Sequence, residues 1–196
     1  GTRASVASRG LGDVYKRQFQ EGTVCAHCGW VTKREMRILA EHEVHAVHCP
    51  VSNQKLATGG TMSYPAMIEA GVDVRLGTDG AASNNALDMR SEMKAASLIQ
   101  RHDHWDATLL DPIHSYELGV RGSTDWGAWN LDDIRMRPIG KDGRRLLANL
   151  IYSNGNCLDM WVGGQALRRD GKTLTIDEAT VMNELEEAVR TYYAHV

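Results

Sequence analysis

The residue that most clearly suggests a chemical function is Asp79. It lies within the stretch Leu76-Gly77-Thr78-Asp79-Gly80-Ala81-Ala82-Ser83-Asn84-Asn85. Apolar and charged residues alternate over 72–76, which is the two-residue period of a β-strand, and the pattern stops at Gly77. An unpaired buried carboxylate is costly, so an Asp at the carboxyl end of a strand commonly binds a metal ion. The alternative is that Asp79 only caps the next helix. We favour the metal over the cap.

Three motifs in order extend this observation along the chain. They are Ala26-His27-Cys28, the run 48–57 that begins His48-Cys49-Pro50, and the run 77–85 that contains Asp79. They resemble the sixth, seventh and eighth strand ends of the amidohydrolase superfamily. The closest resemblance is to the methylthioadenosine/S-adenosylhomocysteine deaminase group, near the chlorohydrolases that act on triazines. With later matches at 161–164 and 169–175, the resemblance covers the chain from about residue 22 onward.

The resemblance implies a role for three residues. Asp79 corresponds to the metal-binding aspartate, which also takes the proton from the metal-bound water. His27 corresponds to the strand-6 histidine beside that water and the leaving group. Ser83 matches a serine that lies near the substrate. Zn²⁺ is the metal implied first, and Fe²⁺ is left open because one carboxylate does not discriminate between them.

The rest of the family site has no counterpart in this sequence. There is no His-x-His near the start, and no His-x-x-Glu precedes His27. A (β/α)₈ barrel alone needs about 250 residues, whereas this chain has 196. We therefore expect a carboxyl-terminal fragment of a metal-dependent enzyme, which by itself is inactive and binds zinc weakly.

The expected fold is α/β, in three parts. Residues 19–123 are predicted to form about three βα units from the end of a TIM barrel. Residues 124–196 are predicted to form an incomplete small β-sandwich with a carboxyl-terminal helix. The remaining segment, 1–18, includes Ser8 to Gln18, which resembles a translated sequencing adaptor. We interpret it as an unstructured segment of a metagenomic reading frame, to be left out of fold reasoning.

Local patterns predict the individual elements. Strands are predicted over 24–27, 44–48 and 72–76, alternating with helices as in parallel βα units. Thr32 and Glu35 have the spacing of a capping box at the start of a helix, and so do Thr175 and Glu178. For the region 111–125 the interpretation remains open between an internal deletion and a short, divergent helix.

Other candidate residues receive simpler interpretations. Cys25-x-x-Cys28 invites a zinc site, which we discount because Cys25 falls inside an apolar strand. His48 is interpreted either as a residue of the pocket or as core packing, with neither favoured. Asn53 and Lys55 are expected in a loop with a structural hydrogen-bonding role. The run 102–106, which contains two His and two Asp residues, is expected in a polar loop.

Composition limits the classes of function. The chain is 42% hydrophobic with a net charge of −3, so nothing in it indicates nucleic-acid or membrane binding. We predict a cytoplasmic hydrolase that deaminates a purine-like small molecule of the adenosine, methylthioadenosine or S-adenosylhomocysteine type and releases ammonia. The intact enzyme is expected to be a homo-oligomer. The alternatives are a triazine or halide hydrolase of the same superfamily, and a non-catalytic remnant that needs another chain.

Overall fold

A three-stranded parallel sheet forms the first part of the molecule. The computed structural model describes residues 19–194, so the segment 1–18 and its interpretation lie outside the described residues. The strands are β1 (Val24–Ala26), β2 (His45–His48) and β3 (Asp73–Leu76), in the order β1-β2-β3. All pairs are parallel. Their carboxyl ends therefore lie along one edge.

Six helices connect and cover these strands. They are α1 (Lys33–Glu41), α2 (Pro50–Lys55), α3 (Tyr64–Glu69), α4 (Ala81–Asn84), α5 (Met89–His104) and α6 (Pro112–Val120). The capping box predicted for α1 is confirmed, because Thr32 and Glu35 bond to each other's backbone amides. The region 111–125 contains α6, a helix of nine residues whose first two free amides are capped by Asp111.

The hydrophobic core lies between one face of the parallel sheet and the helices. Ala46 and Val74 alternate with half-buried residues along their strands and are fully buried. Met67 from α3 and Ala96 from α5 pack in the same cluster. Alternation with a period of two thus directs one face of the sheet inward, as the sequence predicted. This packing fixes the positions of the strand ends.

The run 102–106 was predicted as a loop, and this prediction is wrong in part. Helix α5 continues to His104 and ends at Trp105, which has a left-handed backbone with φ 55°. Helices usually end in this conformation at Gly or Asn, so the sequence carried no recognisable stop signal. His104 contacts the Ser63 hydroxyl at 3.4 Å.

A four-stranded antiparallel sheet follows the helices. Its strands are β4 (Trp126–Trp129), β5 (Cys157–Val162), β6 (Gln165–Arg169) and β7 (Lys172–Thr173), paired in chain order. A 3₁₀ turn (Ile134–Met136) and helix α7 (Arg144–Ser153) separate β4 from β5. The turn between β5 and β6 is the predicted Gly-Gly turn, with both glycines at positive φ. Trp126 and Trp161 stack across β4 and β5 with ring centroids 3.6 Å apart.

The described part of the chain ends with helix α8 (Glu178–Ala194), of which no described residue is buried. The capping box predicted from Thr175 and Glu178 is wrong. Asp177 instead accepts hydrogen bonds from the backbone amides of Ala179 and Thr180. Over residues 19–194, no helix has the length and apolar character needed to cross a bilayer. Whether the protein is cytoplasmic stays a prediction.

Candidate functional site

His27 and Asp79 come together at the carboxyl edge of the parallel sheet. His27 directly follows β1, and Asp79 lies three residues beyond β3. Both have left-handed backbones, with φ 68° and 59° respectively. Asp and His adopt this conformation more readily than most residues other than glycine, and here it turns the chain sharply at the two strand ends. His27 Nε2 lies 3.8 Å from Asp79 Oδ2. The two residues singled out by sequence motif are therefore neighbours in space.

Gly77 allows the two strand ends to approach each other closely. A Cβ at this position would lie 2.6 Å from Val47 Cγ1, which real side chains do not tolerate. Any larger residue at this position would therefore displace the Val47 side chain between β2 and the loop that carries Asp79. The glycine that ends the strand pattern in the sequence thus has a packing role.

The Asp79 carboxylate is held by donors to both of its oxygens. The Ser52 hydroxyl donates to Oδ2 at 2.6 Å, and the Gly80 amide donates to Oδ1 at 2.8 Å. The hydrogen bond from Ser52 and then that from Gly80 hold the pKa of Asp79 below its usual range, with a smaller effect from Ser83. The carboxylate is therefore ionised at neutral pH, and its side chain remains one-third exposed.

Asp79 does not act as the helix cap that the sequence left as an alternative. The N-cap of α4 is Gly80, and no side chain caps that helix. The Asp79 carboxylate accepts from the amide of the next residue, which is itself the N-cap, and from Ser52 of another element. Its position at the edge of the sheet is therefore unrelated to helix capping.

Ser83 lies in α4 beside Asp79. Its hydroxyl donates to the Gly80 carbonyl at 2.9 Å, and it contributes to the lowered pKa of Asp79. Lys55 reaches the same turn, where it bonds to the Ala82 carbonyl at 3.1 Å and to the Asn85 side chain. The loop after β3 is therefore fixed from the side of α2.

Sequence reasoning missed Ser52 and misplaced Asn53. Both lie in α2, not in the loop expected for Asn53 and Lys55, and both are buried. The Asn53 amide oxygen contacts His27 Nδ1 at 2.6 Å. One signal for this helix was present, since Pro50 occupies its first turn, where proline is favoured. The residue pair Ser52-Asn53 therefore contacts both members of the His27–Asp79 pair.

A buried carboxylate connects the loops of this site. Glu92 from α5 is fully buried and accepts hydrogen bonds from the Val51 amide at 3.2 Å and from Asn84 Nδ2 at 2.6 Å. Asn84 also donates to the Thr78 carbonyl at 2.6 Å. Burial raises the pKa of Glu92. Because these bonds join α5 to the start of α2 and to Asn84 at the end of α4, which in turn holds the Thr78 carbonyl, Glu92 ties together the segments that carry Ser52 and Asp79.

His48 is buried at the end of β2, and burial is compatible with both interpretations that the sequence left open, a residue of the pocket and core packing. Its side chain is 2% exposed, and within residues 19–194 neither ring nitrogen has a hydrogen-bond partner. Burial lowers its pKa to about 4, with a smaller contribution from His27. His48 is therefore neutral at physiological pH. Burial likewise raises the pKa of the neighbouring Cys49 thiol to about 11, so that this thiol stays protonated.

The described residues do not complete a metal site. Within residues 19–194, no group of three or more His, Cys, Asp or Glu side chains could hold an ion. The Cys25-x-x-Cys28 pair belongs to no such group among these residues. A catalytic zinc normally has three protein ligands. Asp79 fits one such position, because it is ionised, partly exposed and oriented by donors to both oxygens.

The chain belongs to the amidohydrolase family, whose model matches residues 9–118, more than half of the sequence. The match begins inside the segment 1–18 that was set apart above. Its other end lies in α6, so the antiparallel sheet falls outside it.

The chain is also similar in sequence to two groups of curated proteins. The chain is 36% identical to the 5'-deoxyadenosine deaminase of Methanothrix thermoacetophila, over 89% of this chain and 44% of that protein. It is 37% identical to the 5-methylthioadenosine/S-adenosylhomocysteine deaminase 1 of Archaeoglobus fulgidus, over 69% of this chain and 35% of that protein. The chain thus spans less than half of the length of these curated relatives.

Solved structures share the fold. An adenosine deaminase from Xanthomonas campestris with bound zinc superposes with a TM-score of 0.75 at 29% identity, over 86% of this chain and 42% of that one. The atrazine chlorohydrolase from Arthrobacter aurescens TC1 complexed with zinc gives a TM-score of 0.69 at 19% identity, over 82% and 39% respectively. At that identity, the second similarity concerns the fold alone. The predicted α/β class is confirmed at this level.

Proposed function

We propose that this chain is the carboxyl-terminal part of an enzyme that removes the amino group from a purine-like substrate by hydrolysis. The observation that carries the proposal is the His27–Asp79 pair, with 3.8 Å between Nε2 and Oδ2 at the carboxyl edge of a parallel sheet. Active sites of parallel α/β barrels lie at this edge. The names of the relatives at 36–37% identity support an adenosine-type substrate, either 5'-deoxyadenosine, methylthioadenosine or S-adenosylhomocysteine.

In this proposal the three strands are the last three of a (β/α)₈ barrel, and 19–123 is the barrel part. The antiparallel sheet and α8, within 124–196, belong to a small β-sandwich. Support comes from the all-parallel order β1-β2-β3 and from the separate antiparallel sheet that follows it. The chain alone is expected to be inactive, and the intact enzyme is expected to be a cytoplasmic homo-oligomer.

The cofactor in this proposal is Zn²⁺, with Fe²⁺ as the alternative, and Asp79 is its ligand from this chain. The zinc in the similar Xanthomonas campestris deaminase supports this choice. When bound, such an ion lowers the pKa of a coordinated water. In this proposal the other ligands come from the part of the intact enzyme that this chain does not span.

Each site residue has a separate task in the proposed mechanism. Asp79 accepts the proton of the attacking water, and the donors from Ser52 and Gly80 keep the carboxylate oriented for this transfer. His27, which is partly exposed beside it, forms a hydrogen bond with the oxygen added at the amine-bearing ring carbon and so stabilises the addition intermediate. Ser83 contacts the substrate. One proton of the water passes to the amino group, which leaves this carbon as ammonia, and the other passes to the adjacent ring nitrogen as the carbonyl forms.

Hydrolysis of a chlorinated triazine is the second candidate, because the same residues would serve a chloride leaving group. The observation behind it is the structural similarity to the atrazine chlorohydrolase. The sequence identity of 19% is well below the 36% to the deoxyadenosine deaminase. Deamination is therefore the proposal we prefer.

The test uses a chimeric enzyme, defined as residues 19–194 joined to the amino-terminal part of the Methanothrix thermoacetophila deaminase that the chain does not cover. The zinc-loaded chimeric enzyme is expected to release ammonia from 5'-deoxyadenosine or methylthioadenosine and no chloride from atrazine. Residues 19–194 alone are expected to retain less than stoichiometric zinc and to release neither product. Chloride release without ammonia would replace the proposal by the second candidate. Stoichiometric zinc in the chain alone, lost in Asp79→Ala, would contradict the incomplete site.

A further inference from the structure

Asn53 is held rigidly against the His27 ring. Its backbone amide donates to the Cys49 carbonyl at 3.0 Å, and its carbonyl accepts from the Thr58 amide at 3.1 Å. The side chain is 7% exposed. On the other side, the His27 amide donates to the Val47 carbonyl at 2.8 Å. Since both backbones are fixed, the 2.6 Å contact between Asn53 Oδ1 and His27 Nδ1 is a fixed feature of the site.

The chemistry of this contact determines where the imidazole proton lies. An amide oxygen is only an acceptor, so the hydrogen bond requires the proton on His27 Nδ1. In a neutral imidazole the other nitrogen then carries the lone pair. That nitrogen, Nε2, is the one 3.8 Å from Asp79 Oδ2. At this distance the two atoms are not hydrogen-bonded, so Nε2 remains available to a water or substrate.

The orientation of the Asn53 amide carries an energetic cost. Its Nδ2 group is buried and, among the described residues, has no hydrogen-bond partner. A buried donor without a partner is unfavourable. Among the described residues, the hydrogen bond that the Asn53 side chain makes is the one that its oxygen accepts from His27 Nδ1.

We propose that Asn53 is a positioning residue that fixes His27 in the tautomer with the proton on Nδ1 and thereby presents the Nε2 lone pair on the Asp79 side. The inference about the tautomer rests only on the contacts of His27 and does not require the proposed function. Its consequence for catalysis rests on the proposed function, in which the Nε2 lone pair accepts a hydrogen bond from the attacking water and then from the hydroxyl group of the addition intermediate. Loss of Asn53 would leave the ring in place with the proton on the wrong nitrogen.

The tautomer can be measured directly in the chain by nitrogen NMR. Protein with ¹⁵N-labelled histidine is recorded above pH 8, and the His27 signals are identified by their absence in His27→Gln. The proton is expected on Nδ1 in the wild type. In Asn53→Leu, which keeps the branched shape but has no acceptor, it is expected to move to Nε2, the tautomer preferred by free histidine. Ser52→Ala, which changes the contact to Asp79 and not that to His27, is the matched control and is expected to leave the tautomer unchanged.

Two results overturn the proposal: a proton on Nε2 in the wild type, or a proton that stays on Nδ1 in Asn53→Leu. If Asn53→Leu does not fold, Asn53→Ala gives the same readout. Asn53→Asp, which retains an acceptor oxygen, must keep the wild-type tautomer, and a proton on Nε2 in this variant also overturns the proposal. A correct tautomer together with a chimeric enzyme that releases no ammonia would reject the proposed function and leave this inference intact.

Discussion

Ser52 and Asp79 are 27 residues apart in the chain, yet the Ser52 hydroxyl donates a 2.6 Å hydrogen bond to Asp79 Oδ2. This bond crosses from helix α2, which follows the second strand, to the loop that follows the third. Together with the Gly80 amide it orients the carboxylate before any ion or substrate is present. Groups that orient a metal ligand in this way typically affect metal affinity and activity strongly.

Replacing Ser52 by Ala is therefore expected to lower both zinc affinity and ammonia release of the chimeric enzyme, by about 10- to 100-fold. The physical reason is that Asp79 loses a donor that fixes its orientation and lowers its pKa. Competition with a chelator measures the affinity. Ser123→Ala, at an exposed position outside the site, is the control and should match the wild type. Wild-type affinity and rate in Ser52→Ala would show that the bond is incidental.

His27→Ala is expected to lower kcat of the chimeric enzyme more than it raises KM, as for a group that acts mainly in the transition state. Ser83→Ala should be milder, at about 1 kcal/mol of transition-state stabilisation, because a neutral hydroxyl contributes little. Steady-state kinetics with methylthioadenosine measures both variants. A larger effect of Ser83→Ala than of His27→Ala would reverse the assigned roles.

Glu92 is expected to contribute to stability. Glu92→Ala removes the acceptor of the Val51 amide and of Asn84 Nδ2, and should lower the free energy of unfolding by about 1–3 kcal/mol. Glu92→Gln retains an acceptor oxygen and should lose less. Urea denaturation of the chain measures these differences, with the exposed Glu117→Ala as the control. An unchanged midpoint in Glu92→Ala would contradict the network described for this residue.

His48 predicts a pH dependence of stability. Its pKa is lowered from 6.5 to about 4 in the folded chain, so between these values the unfolded chain binds a proton that the folded chain does not. The free energy of unfolding should therefore fall from pH 6.5 to 4, by up to about 3 kcal/mol. The pKa values of Asp111 and Asp133 are lowered from 3.8 to about 2. Their contribution to the free energy of unfolding is therefore lost only below about pH 3.8, outside this window.

His48→Leu should flatten the stability profile in this window, because the variant has no group there to protonate. Urea denaturation at pH 7, 5.5 and 4.5 provides the measurement. The pKa of Glu92 is raised in the folded chain, so its protonation increases the free energy of unfolding as the pH falls, opposite to the effect of His48. Glu92 is present in both proteins, and its effect cancels in the comparison. The exposed His102→Leu is the control. Parallel profiles for wild type and His48→Leu would show that His48 does not carry this pH dependence.

Local patterns predicted the elements whose signals are contained in a few adjacent residues. The alternation over 72–76 and the spacing of Thr32 and Glu35 each describe a local geometry, and both correspond to observed elements. The left-handed end of α5 at Trp105 and the capping of α8 by Asp177 had weaker or competing local signals. Where several residues could form a cap, the sequence did not discriminate between them.

The site was predictable as motifs but not as contacts. Asp79 was identified from its position after a strand and His27 from the family resemblance, and the two are neighbours in the structure. The partners Ser52 and Asn53 were not identified as such, because their bonds join residues 26 and 27 positions apart and depend on how α2 packs against the edge of the sheet. Such contacts have no local period that a sequence pattern could reveal.

The most direct test of the account is the rate of ammonia release by the zinc-loaded chimeric enzyme compared with its Asp79→Asn variant. The substitution keeps the shape of the side chain but removes its negative charge and its capacity to accept a proton. We predict that the unmodified chimeric enzyme deaminates methylthioadenosine or 5'-deoxyadenosine, and that Asp79→Asn abolishes turnover while the melting temperature is retained. A variant with near-normal turnover would mean that Asp79 is neither the metal ligand nor the proton acceptor, and would contradict the account.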